Sequence, residues 1–175
     1  DGEYHTHPAV RGIKTIGIGE RLRSYAPLGE HVPQFGIREH RVDFVVELEK
    51  AILFVEVKDP GNPKAQAEGL AKFHGELQDG TLSDTFAAKF IDTFLYRWAE
   101  DCLNKPVHYV SLVTLGDSSL LPNFSDEIAK KLPPMGKSVP RWQRQLAENC
   151  QVFNIDLWNQ SFPKWPATRV AKTKP

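Results

Sequence analysis

The sequence predicts an α/β fold with one central mixed sheet flanked by helices, and three observations carry that expectation. Arg41 to Glu47, Ile52 to Lys58 and Val107 to Leu115 are short runs rich in β-branched and aromatic residues, the composition of strands. Between the second and third of them lie two stretches with apolar residues at helical spacing, so the chain leaves the sheet, covers it and returns. Finally, 175 residues with 41% hydrophobic and 25% charged content suit one packed globular domain.

The first 14 residues are polar and without periodicity, and read as a flexible arm. The domain then spans 15–162, and the remainder, 163–175, reads as a basic tail carrying Lys164, Arg169, Lys172 and Lys174 with no acid. A short helix is predicted from Ile16 to Tyr25, with Pro27 just past its end. Next come the strands Arg41 to Glu47 and Ile52 to Lys58. The link between them is only Leu48 to Ala51, which makes an antiparallel hairpin the simplest arrangement. Asn62 and Pro63 suit the cap and first position of a helix running to about Gln78, with Leu70, Phe73 and Leu77 at helical spacing. A longer helix follows Ser83, with the stripe Phe86, Phe90, Phe94, Trp98 and Cys102 read as core. Val107 to Leu115 is apolar enough to lie inside the sheet. Ser125 is read as the cap of a helix to Leu132 and Pro140 as the start of another to Asn149, and Val152 to Trp158 as a closing strand.

Charge and composition narrow the function. Lys and Arg number 22 and so do Asp and Glu, so a protein that coats nucleic acid through a general basic excess is excluded. No run approaches the roughly 18 apolar residues of a membrane span, and neither a span nor a signal peptide is expected. A cytoplasmic protein without membrane contacts follows. Cys102 and Cys150 are too few for a disulfide framework or a zinc knuckle, and read as buried structural thiols.

The informative segment is Ile52-Leu53-Phe54-Val55-Glu56-Val57-Lys58. Side chains alternate along a strand, so Ile52, Phe54, Glu56 and Lys58 share one face. Both faces begin apolar, the mark of an interior strand, and charges there require pairing, hydrogen bonds or a metal. Asp43 is a second carboxylate in an apolar strand, between Val42 and Phe44. In an antiparallel hairpin the start of one strand lies beside the end of the other, so Asp43 and Glu56 meet. Two converging carboxylates suit Mg²⁺, which takes hard oxygen ligands and keeps part of its hydration shell. Lys58 would orient a water and offset charge developing on a phosphate. The same three residues also allow a plain ion pair across a hairpin.

This arrangement, Asp43 followed thirteen positions later by Glu56-Val57-Lys58 at the ends of apolar strands, resembles the PD-(D/E)XK nuclease superfamily. The resemblance extends over about Ile16 to Phe73 and the strand Val107 to Leu115. It implies a restriction-endonuclease-like core and a Mg²⁺-dependent (endo)deoxyribonuclease, exo and endo action both remaining open, with Mn²⁺ able to substitute. Asp43, Glu56 and Lys58 would then be catalytic, with Asp43, Glu56 and Glu20 holding the metal and Gln66 as an accessory polar residue. Arg21, Arg41, Lys64, Lys72, Arg141 and Arg144 are candidate contacts to the nucleic acid. DNA is the implied partner, RNA and a homodimer being compatible with it. The alternative is a degenerate nuclease-fold module that binds nucleic acid or a protein without cutting.

Overall fold

The computed structural model describes residues 41–61, 67–133 and 145–169, together with the backbone of Ile13–Lys14 and Leu22–Arg23. Its elements, in order, are β1 (Ile13–Lys14), β2 (Leu22–Arg23), β3 (Phe44–Glu47), β4 (Ile52–Lys58), α1 (Ala67–Gln78), α2 (Thr81–Ala99), β5 (Val107–Val113), a 3-10 turn (Ser118–Leu120), α3 (Leu121–Lys131), β6 (Asn149–Phe153), α4 (Ile155–Ser161) and β7 (Thr168–Arg169). The fold class is the one predicted, α/β with a mixed sheet. Five strands run in the order β2-β3-β4-β5-β6, antiparallel from β2 to β4 and parallel from β4 to β6.

β4 lies at the centre of that sheet and is buried from Ile52 to Val57. One of its faces carries Ile52 and Phe54, which pack with Phe73 of α1, with Leu82, Phe86 and Phe90 of α2, and with Phe124 and Ile128 of α3. On the other face Leu53, Val55 and Val57 meet Val110, Leu112, Trp158 and Ala167. A two-sided core of this kind needs an apolar strand at its middle, and the sequence of β4 supplies one. Gly80 joins α1 to α2 at φ 84°, a left-handed conformation that glycine adopts without steric penalty. Asp79 then accepts the Thr81 N–H at 2.9 Å and Ser83 donates to the Gly80 carbonyl.

Several predicted boundaries move, each for a physical reason. Leu22–Arg23 is a strand paired with Val46 and Val45, not part of a helix from Ile16 to Tyr25. β3 begins at Phe44 instead of Arg41, because the Val42 N–H donates to Thr93 Oγ1 of α2, at 3.0 Å. The stripe on α2 turns away before Trp98, which is 65% exposed. Steps of four residues advance about 40° beyond a full turn, so the third step from Phe86 has drifted by about 120°. The buried face follows Leu82, Phe86, Phe90, Thr93 and Arg97 instead, and Cys102 lies beyond the helix, half-buried. Cys150 is buried as expected, and burial pushes its thiol up to about 12.

α3 starts at Leu121, with Pro122 in its first turn. Ser125 does not cap it, its hydroxyl accepting the Val152 N–H at 2.8 Å instead. The helix expected from Pro140 to Asn149 is absent over 145–149, where Glu148 already donates to the Val107 carbonyl and Asn149 opens β6. The closing strand ends at Phe153. Asn154 then caps α4 by accepting the Leu157 N–H, so Ile155 to Trp158 are helical. Part of the segment read as a basic tail belongs to the fold: Ala167 is fully buried, and Thr168–Arg169 pairs with Ile13–Lys14 from the segment read as an arm.

Candidate active site

The register of the β3–β4 hairpin builds the site. Phe44 lies opposite Val55, Val45 opposite Phe54 and Val46 opposite Leu53. One step further, Asp43 comes opposite Glu56, on the face shared by Val45 and Phe54. Asp43 Oδ2 accepts the Val57 N–H at 2.7 Å, a charge-assisted bond that orients the carboxylate. Across the sheet, Glu56 lies beside Ser111 of β5, itself buried. Sequence reasoning thus placed the two acids together, and the structure brings them together.

Glu56 is only 2% exposed. Its Oε1 accepts from Lys89 Nζ of α2 at 2.5 Å, whereas Oε2, equally buried, has no hydrogen-bond partner among the described residues. Burial pushes the Glu56 carboxyl from 4.5 up to about 8, and repulsion from Asp43 adds to that shift. The Lys89 and Lys58 ammoniums oppose it without cancelling it. Below Glu56, Tyr109 is held well above its ordinary value, first by burial and then by the Glu56 charge, and donates its hydroxyl hydrogen to the Phe86 carbonyl at 2.9 Å.

Lys89 is the residue that sequence reasoning missed. It sits beside Phe90 on the sheet-facing side of α2, with about a fifth of its side chain exposed. A single hydroxyl ties this turn of α2 to the acid pair. Thr93 Oγ1 donates to the Lys89 carbonyl at 2.7 Å and accepts from the N–H of Val42, the residue before Asp43. No local pattern marks it, since α2 carries Asp84, Asp92 and Arg97 as well as Lys89.

Lys58 stands at the exposed end of β4, on the side of the strand that carries Glu56. Its carbonyl accepts the Thr114 N–H at 3.0 Å, which fixes the backbone next to β5. Asp59 follows and accepts from both the Thr114 hydroxyl and Arg169 Nη2, the latter at 2.9 Å. Arg169 therefore anchors the C-terminal segment beside the site. Gly61 comes so close that a Cβ there would lie 2.6 Å from the Thr114 carbonyl oxygen and 2.7 Å from Arg169 Nη2.

Two of the remaining candidates fall among the described residues. Arg41 is half-buried, its guanidinium 4.3 Å from the centre of the Tyr96 ring, and it lines a pocket with Asp43, Thr93 and Tyr96. Lys72 lies on the exposed side of α1 and pairs with Glu76 at 3.6 Å. Glu20, Arg21, Lys64, Gln66, Arg141 and Arg144 lie outside the described residues.

The donor set fits a hard divalent cation. Two carboxylates face each other, and one buried oxygen of Glu56 has no hydrogen-bond partner among the described residues, a costly condition unless a ligand satisfies it. Among the described residues no group of three or more His, Cys, Asp or Glu side chains forms a fuller cage. Compared with family models, with curated proteins and with solved structures, the chain has no match.

Proposed function

We propose that the chain is a metal-dependent nuclease that hydrolyses phosphodiester bonds of DNA. The observation that carries this reading is the meeting of Asp43 and Glu56 on one sheet face, with a buried oxygen left unsatisfied and Lys58 two residues further along the same strand. Mg²⁺, for which Mn²⁺ substitutes, would be held by Asp43 and Glu56 and would supply Lewis acidity toward a phosphoryl oxygen. Asp43 is held ready for this by the Val57 N–H. Lys58, at the solvent end of the strand, hydrogen-bonds the attacking water and counters charge that develops on the phosphate. The wall of Phe54, Phe90 and Tyr109 behind Glu56 keeps bulk water from one side of the acid pair.

No helix among the described residues is long and apolar enough to cross a membrane. The test is incubation with supercoiled plasmid, linear duplex DNA and RNA in the presence of Mg²⁺ or Mn²⁺, alongside Glu56→Ala and Lys58→Ala. Cleavage of DNA that each substitution reduces by at least about a hundredfold is expected, the usual effect of removing one electrostatic participant. No cleavage of any polymer, or cleavage that survives both substitutions, would refute the proposal.

One observation favours a second reading. Lys89 already neutralises one oxygen of Glu56, as it would in a module that kept the fold, lost the metal and binds nucleic acid or a protein without cutting. Calorimetric titration separates the two readings, because a permanent ion pair takes up no Mg²⁺ at millimolar concentration.

A further inference from the structure

We infer that Lys89 is a built-in competitor for the divalent cation, occupying Glu56 in the metal-free chain and giving it up when the cation binds. The inference rests on the metal-dependent reading of Asp43 and Glu56. Its basis is the placement of the ammonium, which arrives from a different layer of the fold and lies 2.5 Å from Oε1 of a 2% exposed carboxylate. Oε1 is thereby taken and Oε2 is left without a hydrogen-bond partner among the described residues. A divalent ion held by Asp43 and Glu56 would face that ammonium at close range, and a charge of two is repelled twice as strongly as a single one.

Lys89 has a way out. Its side chain is 22% exposed, and the flexible four-carbon stem lets the ammonium swing toward solvent while its backbone stays fixed by Thr93. The displaced ammonium remains at the rim of the same site, where an incoming phosphate would find it together with Lys58. The pairing thus does two things. It keeps a buried acid pair neutralised while no cation is present, and it lowers affinity so that the ion is held firmly only when a polyanion is there to take over Lys89.

The experiment is calorimetric titration of the full chain with MgCl₂ and MnCl₂ at mildly alkaline pH, comparing wild type with Lys89→Met and Lys89→Gln. Thermal melts confirm that each variant folds, and the glutamine variant retains a hydrogen bond to Glu56 should the methionine variant fail. Binding tighter than wild type by at least about tenfold is expected in both variants, the gain from removing one nearby positive charge. Binding by the variants where wild type shows none would overturn it, because Lys89 would then hold Glu56 permanently and not give it up to the ion. If wild type binds the ion and the variants bind it no more tightly, competition by Lys89 is overturned while the metal site stands. If no form binds either ion, the metal-dependent reading falls and the inference falls with it.

Discussion

Replacing Glu56 by glutamine should make the protein more stable, by an amount that grows with pH. The Glu56 carboxyl sits at about 8 in the folded chain against 4.5 ordinarily. Between those values the folded protein holds a proton that the unfolded chain has lost, so wild-type stability falls as pH rises through this window. At about 1.4 kcal/mol per pH unit, the interval from 4.5 to about 8 brings the penalty to about 5 kcal/mol on its alkaline side. Glu56→Gln removes the titration and keeps the shape. Its own burial adds an offset that does not depend on pH, so the slope is the quantity to read. Urea unfolding of both proteins at a series of pH values from about 4 to 9 gives that slope. The stability gap should be small near pH 4, widen through neutrality and level off above about pH 8. A gap that stays flat, or one that turns against the variant as pH rises, would refute the reasoning. It would mean that the Lys89 contact outweighs desolvation and Asp43, and that Glu56 is ionised throughout the neutral range.

Two further substitutions test how α2 is seated. Arg97 is buried with its guanidinium on Glu47 at 2.6 Å and Glu100 at 3.2 Å, so Arg97→Ala should destabilise by about 2–4 kcal/mol in urea unfolding. The lower end of that range applies because both carboxylates are about a third exposed and regain water. Phe90→Ala should cost about 3–5 kcal/mol, since Phe90 is fully buried between Phe54 and Tyr109, whereas Trp98→Ala should stay within about 0.5 kcal/mol. Equal losses at Phe90 and Trp98 would mean that the helix is rotated from the orientation described.

The legible parts of the sequence were those in which one physical rule acted alone. β4 was readable from Ile52 to Lys58 because only an interior strand is apolar on both faces and ends in charge. The meeting of Asp43 and Glu56 was readable because the short link from Leu48 to Ala51 leaves little choice but a hairpin, and its register then follows. Lys89 was not readable. Its role depends on which turn of α2 lies over the end of β4, and that is set by the packing of Phe86 and Phe90 against the sheet, not by any local pattern. Asn154 shows a different kind of failure. Val152 and Phe153 continue naturally into Ile155, Leu157 and Trp158 as an apolar run, and the capping signal of a single asparagine was outweighed by that run. Arg169 was read as part of a basic tail because its partner, Asp59, lies 110 residues away in the chain.

The balance of 22 basic and 22 acidic residues takes on a local meaning at the site. Asp43 and Glu56 are opposed there by Lys58 and Lys89, so the metal-free cluster is close to neutral once all four groups are ionised, and a polyanion gains little by approaching it. On the metal-dependent reading, occupation of the acid pair leaves the cluster with about two excess positive charges and releases an ammonium toward the surface. Attraction for a phosphate backbone is then stronger in the occupied state. Linkage makes this reciprocal: the factor by which the cation tightens DNA binding must equal the factor by which DNA tightens cation binding. On that reading a chain without net charge would act on nucleic acid without coating it, because the positive field is strengthened at one place and by one event.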